Sequence, residues 1–426
     1  MRIFYGILSL CILLSSAYAC TSKGRGEDNT MDRDEELRHY FGGAAEINTD
    51  SIGQIVCDGS SVEYEVPLDV RNLSLIDAGS VLSLCRVIPL QTTSENLIGS
   101  VDKLLYADSI FIVLDRELGK RVYTFDYDGN FIATIGYAGR GPEEYIEPTD
   151  VFYNHRTQRI TVWDQFSHRF LEYDKSGRFI ASRAVPIRFL RCAYDNVAGG
   201  VWCSSLMENN GLSAIDEYNA LLLDSSYTKV VNRFDYQPYL LNYVSRGSNM
   251  RMVGDTLFYH PLLSDTIYRI GADSKASPAF SLNFRNIANL PSNVMQQCKG
   301  NYEEFYDTYY RTEYAFCESE FFVTDSYLYA NINAKRDRFT LRYKRGDNCI
   351  DVILPMVAKE GFDLGYMQCA NLIWQRMSAM CYAEGMIMAS LTLSELNILP
   401  GGERAFLKVS SLADDANPIV LVFKEI

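Results

Sequence analysis

One glycine-bordered stretch, two histidines and a few arginines carry the chemistry this sequence could do. The stretch is IGYAGRGPEEYIEPTDVFYN, residues 135–154, which sets Arg140 beside Glu143, Glu144 and Tyr145. An arginine fork grips carboxylate or sulfate groups at two points, and a tyrosine ring offers a stacking face with a polar tip. Arg140 can equally pair with Glu143 or Glu144 in its own loop. His168 and His260 could each serve as a general base, but neither has a partner at a motif spacing. The sequence has no G-x-S-x-G, H-E-x-x-H, P-loop or paired-glycine dinucleotide motif. Asp126 and Asp128 resemble the start of a calcium loop, but the later ligands are missing. The four histidines are scattered and no C-x-x-C occurs, so neither a metal nor a cofactor is expected.

The chain holds 11 cysteines. Setting aside Cys11 and Cys20, in the N-terminal segment, leaves an odd number, and several of these lie in apolar, strand-like runs. They read as buried small hydrophobes. If a disulfide forms, Cys192 with Cys203 is the first pair to test.

The elements that must position these groups are short strands. SIFIVLD (109–115), RITVWD (159–164), GVWCSS (200–205), TLFYHP (256–261), YLYANI (327–332) and GMIMAS (385–390) are runs of one kind. After the first come RVYTFDYDGN and FIATIG, and after the second come RFLEYDKSGR and FIASRAV. Each unit reads as strand, strand, Asp-Gly or Ser-Gly turn, strand, with period-two alternation. Such units need neighbours to cover their apolar faces. The expected fold is therefore all-β: a six-bladed β-propeller of four-stranded antiparallel blades. The glycine stretch becomes the step from one blade's outermost strand to the next blade's innermost strand, with Gly136, Gly139 and Gly141 allowing bends and Pro142 and Pro148 stiffening it.

Asp108 to Ile180 resembles two consecutive NHL-type repeats. The first copy is VLDRELGKRVYTFDYDGNFIATIGYAGRGPEEYIEPTDV, with Tyr145 in the aromatic slot and Pro148 in the proline slot. The second keeps WDQFSHRFLEYDKSGRFI but loses the glycine loop. More narrowly, the whole chain resembles six-bladed propeller lipoproteins of gut Gram-negative bacteria. The resemblance implies fold and envelope location. It does not imply an activity, since NHL propellers host both binding modules and lyases.

In such a ring the outer-to-inner connection and the loop after each second strand share one face, at the mouth of the central channel. This would gather Arg116, Arg140, Glu143, Tyr145, His168, His260, Lys335 and Arg336 near one mouth. The cations among them could receive an anionic ligand such as a uronate, a sulfated sugar or a carboxylate. The bland alternative is the mixed polar rim of any soluble loop face.

The N-terminus reads as an address. Arg2 precedes an apolar run, Ile3 to Leu14, too short to be a comfortable membrane span, and small residues follow. Ala17-Tyr18-Ala19-Cys20 resembles a lipobox, which makes residues 1–19 a signal peptide and Cys20 the lipid attachment point. The same letters also fit an A-x-A cleavage site. Residues 20–45 read as a flexible tether and 46–426 as one propeller domain. The net charge of −14 grows more negative once Arg2 is removed, which argues against nucleic-acid or anionic-lipid partners. The expected location is the bacterial outer membrane, with the membrane contacted through the anchor alone and the chain a monomer. Helical insertions are expected near 291–316, where Tyr302, Phe305, Tyr306, Tyr309 and Tyr310 form one face, and near 362–379. Val62 to Val66 is expected to help close the ring, with residues 81–90 inside a blade.

Three functions follow. The first is a tethered binding or scaffold protein for a glycan, peptide or protein partner. The second is a lyase or hydrolase with its site at the channel mouth. The third is an envelope assembly or sensor subunit.

Overall fold

The computed structural model describes residues 47–204, 214–215, 217–236, 248–271, 275–299, 301–310, 314–334, 337–347, 349–353, 373–398, 404 and 407–426. The lipobox, Cys20 and the tether lie outside them, as do Lys335, Arg336 and residues 354–372.

Alternating apolar residues and tight turns give four-stranded antiparallel blades. Blade one is Lys103–Ala107, Ile110–Asp115, Arg121–Asp126 and Phe131–Thr134, paired in that order. Blade two is Asp150–Asn154, Arg159–Asp164, Arg169–Tyr173 and Phe179–Ala184. Blade three runs from Arg191–Tyr194 through Val201–Ser204 and Tyr218–Leu223 to Val230–Tyr236. Blade four runs from Met250–Val253 through Thr256–Tyr259 and Thr266–Ile270 to Lys275–Arg285. Blade five comprises Tyr314–Val323, Tyr327–Ala334, Asp337–Lys344 and Cys349–Ile353. In blade one every residue of the second strand, IFIVLD, is buried. A strand covered on both faces needs a continuous apolar run rather than alternation.

The sequence reading expected six blades of one plan. Five follow it, each cut from one uninterrupted stretch. The remaining sheet is composite: Met380–Ala383, Met386–Leu391 and Ile419–Glu425 are completed by Leu82–Pro89 from near the other chain end. Residues 82–89 thus lie inside a sheet, as expected. Val62–Val66 takes a different place. Tyr64–Asp69 lies parallel to Phe280–Arg285 on the outer edge of blade four. It belongs to a belt that also pairs Gly53–Gln54 with blade three, Val56–Cys57 with blade four and Leu75–Ile76 with blade five. The belt covers edge strands whose unpaired amides would otherwise invite aggregation.

The core is divided among the gaps between neighbouring sheets. Ile112, Leu114, Val162 and Leu171 pack blade one on blade two. Phe258, Phe280, Phe321 and Leu341 pack blade four on blade five. The composite sheet packs against blade five through Tyr329 and Ile387, and against blade one through Phe111 and Val420. The insertion near 291–316 forms short helical turns, Val294–Gln297 and Tyr302–Phe305, followed by a wide turn at Tyr306–Tyr310. Phe305 and Tyr309 are buried against Leu263, Met295 and Phe316, so this part of the aromatic face is packing. In the second insertion, Ile373–Ala379 is a 3₁₀ turn in which Trp374 stacks on Tyr329 at 3.9 Å. No helix among the described residues is long and apolar enough to cross a membrane, and none of the described cysteines forms a disulfide.

Candidate functional site: the axial channel

The innermost strands surround a channel of about 430 Å³, within the usual range of small-molecule sites. All five blades and the composite sheet contribute to its wall. The innermost strands all set out from one face of the ring, the front face.

At the front mouth, the innermost strands of blades one to three each open on a charged residue: Lys103, Asp150 and Arg191. Lys103 Nζ lies 2.8 Å from Asp150 Oδ1 and donates to the Cys192 carbonyl at 3.2 Å. Asp150, 1% exposed, also accepts from the backbone N–H of Val151 at 2.9 Å and of Cys192 at 2.7 Å. Three donors thus hold this buried carboxylate in place. Arg191 is buried beside this pair; burial, then the charge of Arg116, pulls its pKa down to about 10.

Arg116 is where the sequence reading placed it. It lines the channel, with an ion pair of 3.1 Å to Glu117 and one of 3.9 Å to Asp102. The other candidates do not join it. Arg140 and Glu143 are exposed, and neither lines the channel. Arg140 has no ion pair with Glu143 or Glu144. Glu144 instead turns inward and accepts from the Gly141 N–H at 2.8 Å. A Cβ at Gly139 would stand 1.9 Å from that carboxylate, so this glycine is needed for space. Of the three glycines expected to bend the path, Gly136 alone has a positive φ, +66°. Arg169 and Tyr173 of blade two clamp the loop, donating to the carbonyls of Glu144 at 3.0 Å and Glu143 at 2.9 Å.

Tyr145 is a correction. It is 0% exposed within the core between blades one and two, and burial pushes its hydroxyl pKa up. A ring in that place cannot touch a ligand. The two histidines are corrections of the same kind. His168 is buried, and burial, then the charge of Arg188, lowers its pKa to about 4. His260 is fully buried, with Nε2 2.9 Å from the Ser264 carbonyl and its ring edge-on to Phe321. Neither lines the channel. Their loops lie on the front face, but their side chains turn inward between blades. Arg336 lies outside the described residues. Asp126 belongs to a hairpin turn, where Oδ1 accepts from the N–H of Asp128 and of Asn130. No cluster that could hold a metal occurs among the described residues.

Sequence reasoning missed Lys103, Asp150, Arg191 and Arg251. The first three could have been found by phase, since VDKLLYA, PTDVFYN and LRCAYDN occupy the same place in successive repeats.

Four-stranded antiparallel blades around an axial channel define a β-propeller. The sequence profile of a domain of unknown function, DUF4934, matches residues 63–424, and the chain belongs to that family. No curated protein matches the sequence. The structure is similar to that of a Bacteroides fragilis protein described as exported, with a TM-score of 0.68 at 18% identity, covering 85% of this chain and 99% of the other. A member of the DUF4221 family from Bacteroides vulgatus gives 0.48 at 10% identity, covering 81% of this chain and 99% of the other. At such identities the likeness is one of fold.

Proposed function

We propose that this is an exported propeller that binds a glycan, peptide or envelope protein at the front mouth of its axial channel, tethered to the outer membrane through Cys20. The channel is the observation that carries the reading. It has the volume of a ligand site, and charged side chains stand at its mouth. In this reading the composite sheet serves as a sixth blade that joins the chain ends, and the NHL-like spacing of residues 108–180 marks the blades that hold most of the charged mouth. The described relative from Bacteroides fragilis, named as exported, agrees with the leader-like N-terminus. The lyase or hydrolase alternative gains nothing from His168, His260 and Arg140, none of which lines the channel.

A binding screen against purified polysaccharides and peptides tests this, with wild type beside Ala193→Trp. Ala193 lines the channel and is partly exposed, so a tryptophan there takes up space in it. The expected ligand is retained by wild type and lost by the variant; equal retention would remove the channel from the function. The anchor is tested separately with radiolabelled palmitate in cells. Label that persists in Cys20→Ser would sink it.

A further inference from the structure

We infer that the ligand of the channel carries an acid group, a carboxylate or sulfate on a body of monosaccharide size, and that Arg251 receives it. This rests on the channel being the binding site. Arg251 belongs to the innermost strand of blade four, Met250–Val253, and lines the channel. Its guanidinium reaches across two neighbours. Nε donates to the Phe321 carbonyl of blade five at 2.7 Å, Nη1 to the Met380 carbonyl of the composite sheet at 3.2 Å, and Nη2 to the Met377 carbonyl. Cζ lies 4.8 Å from the Phe322 ring centre.

Every one of these acceptors is neutral. The other two cations described in ion pairs at the channel have acidic partners: Lys103 has Asp150, and Arg116 has Asp102 and Glu117. Arg251 has no carboxylate within ion-pair distance among the described residues. Glu320 exerts a Coulombic pull on it, but that carboxylate is committed to Arg338 at 3.0 Å and to Asn331 at 3.1 Å. A guanidinium has five N–H donors. Three are engaged by carbonyls, which leaves two. A positive charge drawn out of water is costly unless an opposite charge meets it. The charge here stands at the wall of a cavity, held by three backbone bonds, to blade five, the composite sheet and the turn Ile373–Ala379. That is a preformed receptor for a planar or tetrahedral anion. Met252, Tyr106 and Tyr382, each partly exposed, line the same channel and offer apolar and aromatic surface to the body of the ligand.

The test is calorimetric titration of the full chain with glucuronate, galacturonate and glucose 6-sulfate. Glucose and galactose serve as neutral counterparts, and inorganic sulfate as a competitor. At least one acid should bind ten-fold or more tightly than its neutral counterpart, and sulfate should compete with it. Arg251→Lys keeps the charge but loses the fork, and should weaken that acid at least ten-fold. Because substitution at Arg251 also removes ring-spanning bonds, Ala193→Trp provides the second arm. It leaves Arg251 intact and should abolish acid binding without lowering the melting temperature. Acid and neutral sugars that bind equally, both blocked by Ala193→Trp, would overturn acid recognition and leave the channel reading standing. Acid binding unaffected by Ala193→Trp would overturn the channel itself. No binding of any of the three acids overturns the inference, and the polysaccharide and peptide screen then judges the channel reading on its own.

Discussion

Lys103 Nζ and Asp150 Oδ1 stand 2.8 Å apart on the innermost strands of two successive blades. The pair joins blade one to blade two at the channel wall, and the backbone N–H of Cys192 extends the link to blade three. Losing the carboxylate would strand a partly buried ammonium and two backbone N–H groups together. Asp150→Ala should therefore cost about 3–5 kcal/mol, the usual penalty for breaking a buried pair from one side. Asp150→Asn, which keeps an acceptor, should cost about 1–3 kcal/mol. Urea unfolding measures both; two equal and small losses would show that the pair is dispensable.

His168 gives the fold an acid-sensitive element. Its ring is buried facing Arg188 and Asp164, and its pKa is lowered to about 4, chiefly by burial. The unfolded chain takes up this proton near pH 6.5 and the native chain only near 4, so the unfolded state holds more protons between them. Stability from this residue is complete above pH 6.5 and is lost as pH falls toward 4, by about 3 kcal/mol at most. His168→Asn suits the positive φ of +51° at this position and should flatten the profile in that window. Parallel profiles for the two chains would contradict the assignment.

Tyr145 and Gly136 make a pair of opposite predictions. The Tyr145 hydroxyl is buried with no hydrogen bond of good geometry, and the backbone of Val122 is the polar group near it. Tyr145→Phe should therefore be neutral or slightly stabilising in thermal melts and leave ligand binding unchanged. A Cβ at Gly136 would lie 2.5 Å from the Tyr173 hydroxyl and 2.8 Å from Cε1 of Tyr145, on a φ of +66°. Gly136→Ala should lose about 1–3 kcal/mol or more. The reverse ranking would show that Tyr145 faces something other than core.

The blades were legible in the sequence where signals are local. The second strands are continuous apolar runs, and the Asp-Gly and Ser-Gly turns fix the hairpins of the third and fourth strands in blades one and two. Even the face was legible, because alternating strands oblige Arg116 and the loop carrying Arg140 to share a side. The depth of a side chain within that face was not. His168, His260 and Tyr145 look like loop polar groups, yet each occupies a gap between blades, and which gap closes over which residue depends on partners far along the chain. The belt was hidden for the same reason: the alternation in VEYEV says strand, but its partner, Phe280–Arg285, lies more than 200 positions away. Arg251 was hidden by its neighbours. Between Met250 and Met252 it reads as the solvent-facing residue of an alternating strand, whereas its guanidinium is taken up by the carbonyls of Phe321, Met377 and Met380, all far along the chain.

The most direct test of the central claim is a crystal structure with a ligand drawn from the binding screen. The account predicts density inside the axial channel, between the Lys103–Asp150 mouth and Arg251. Density on the rim at Arg140, or on a blade flank, with the channel empty of that ligand, would contradict it.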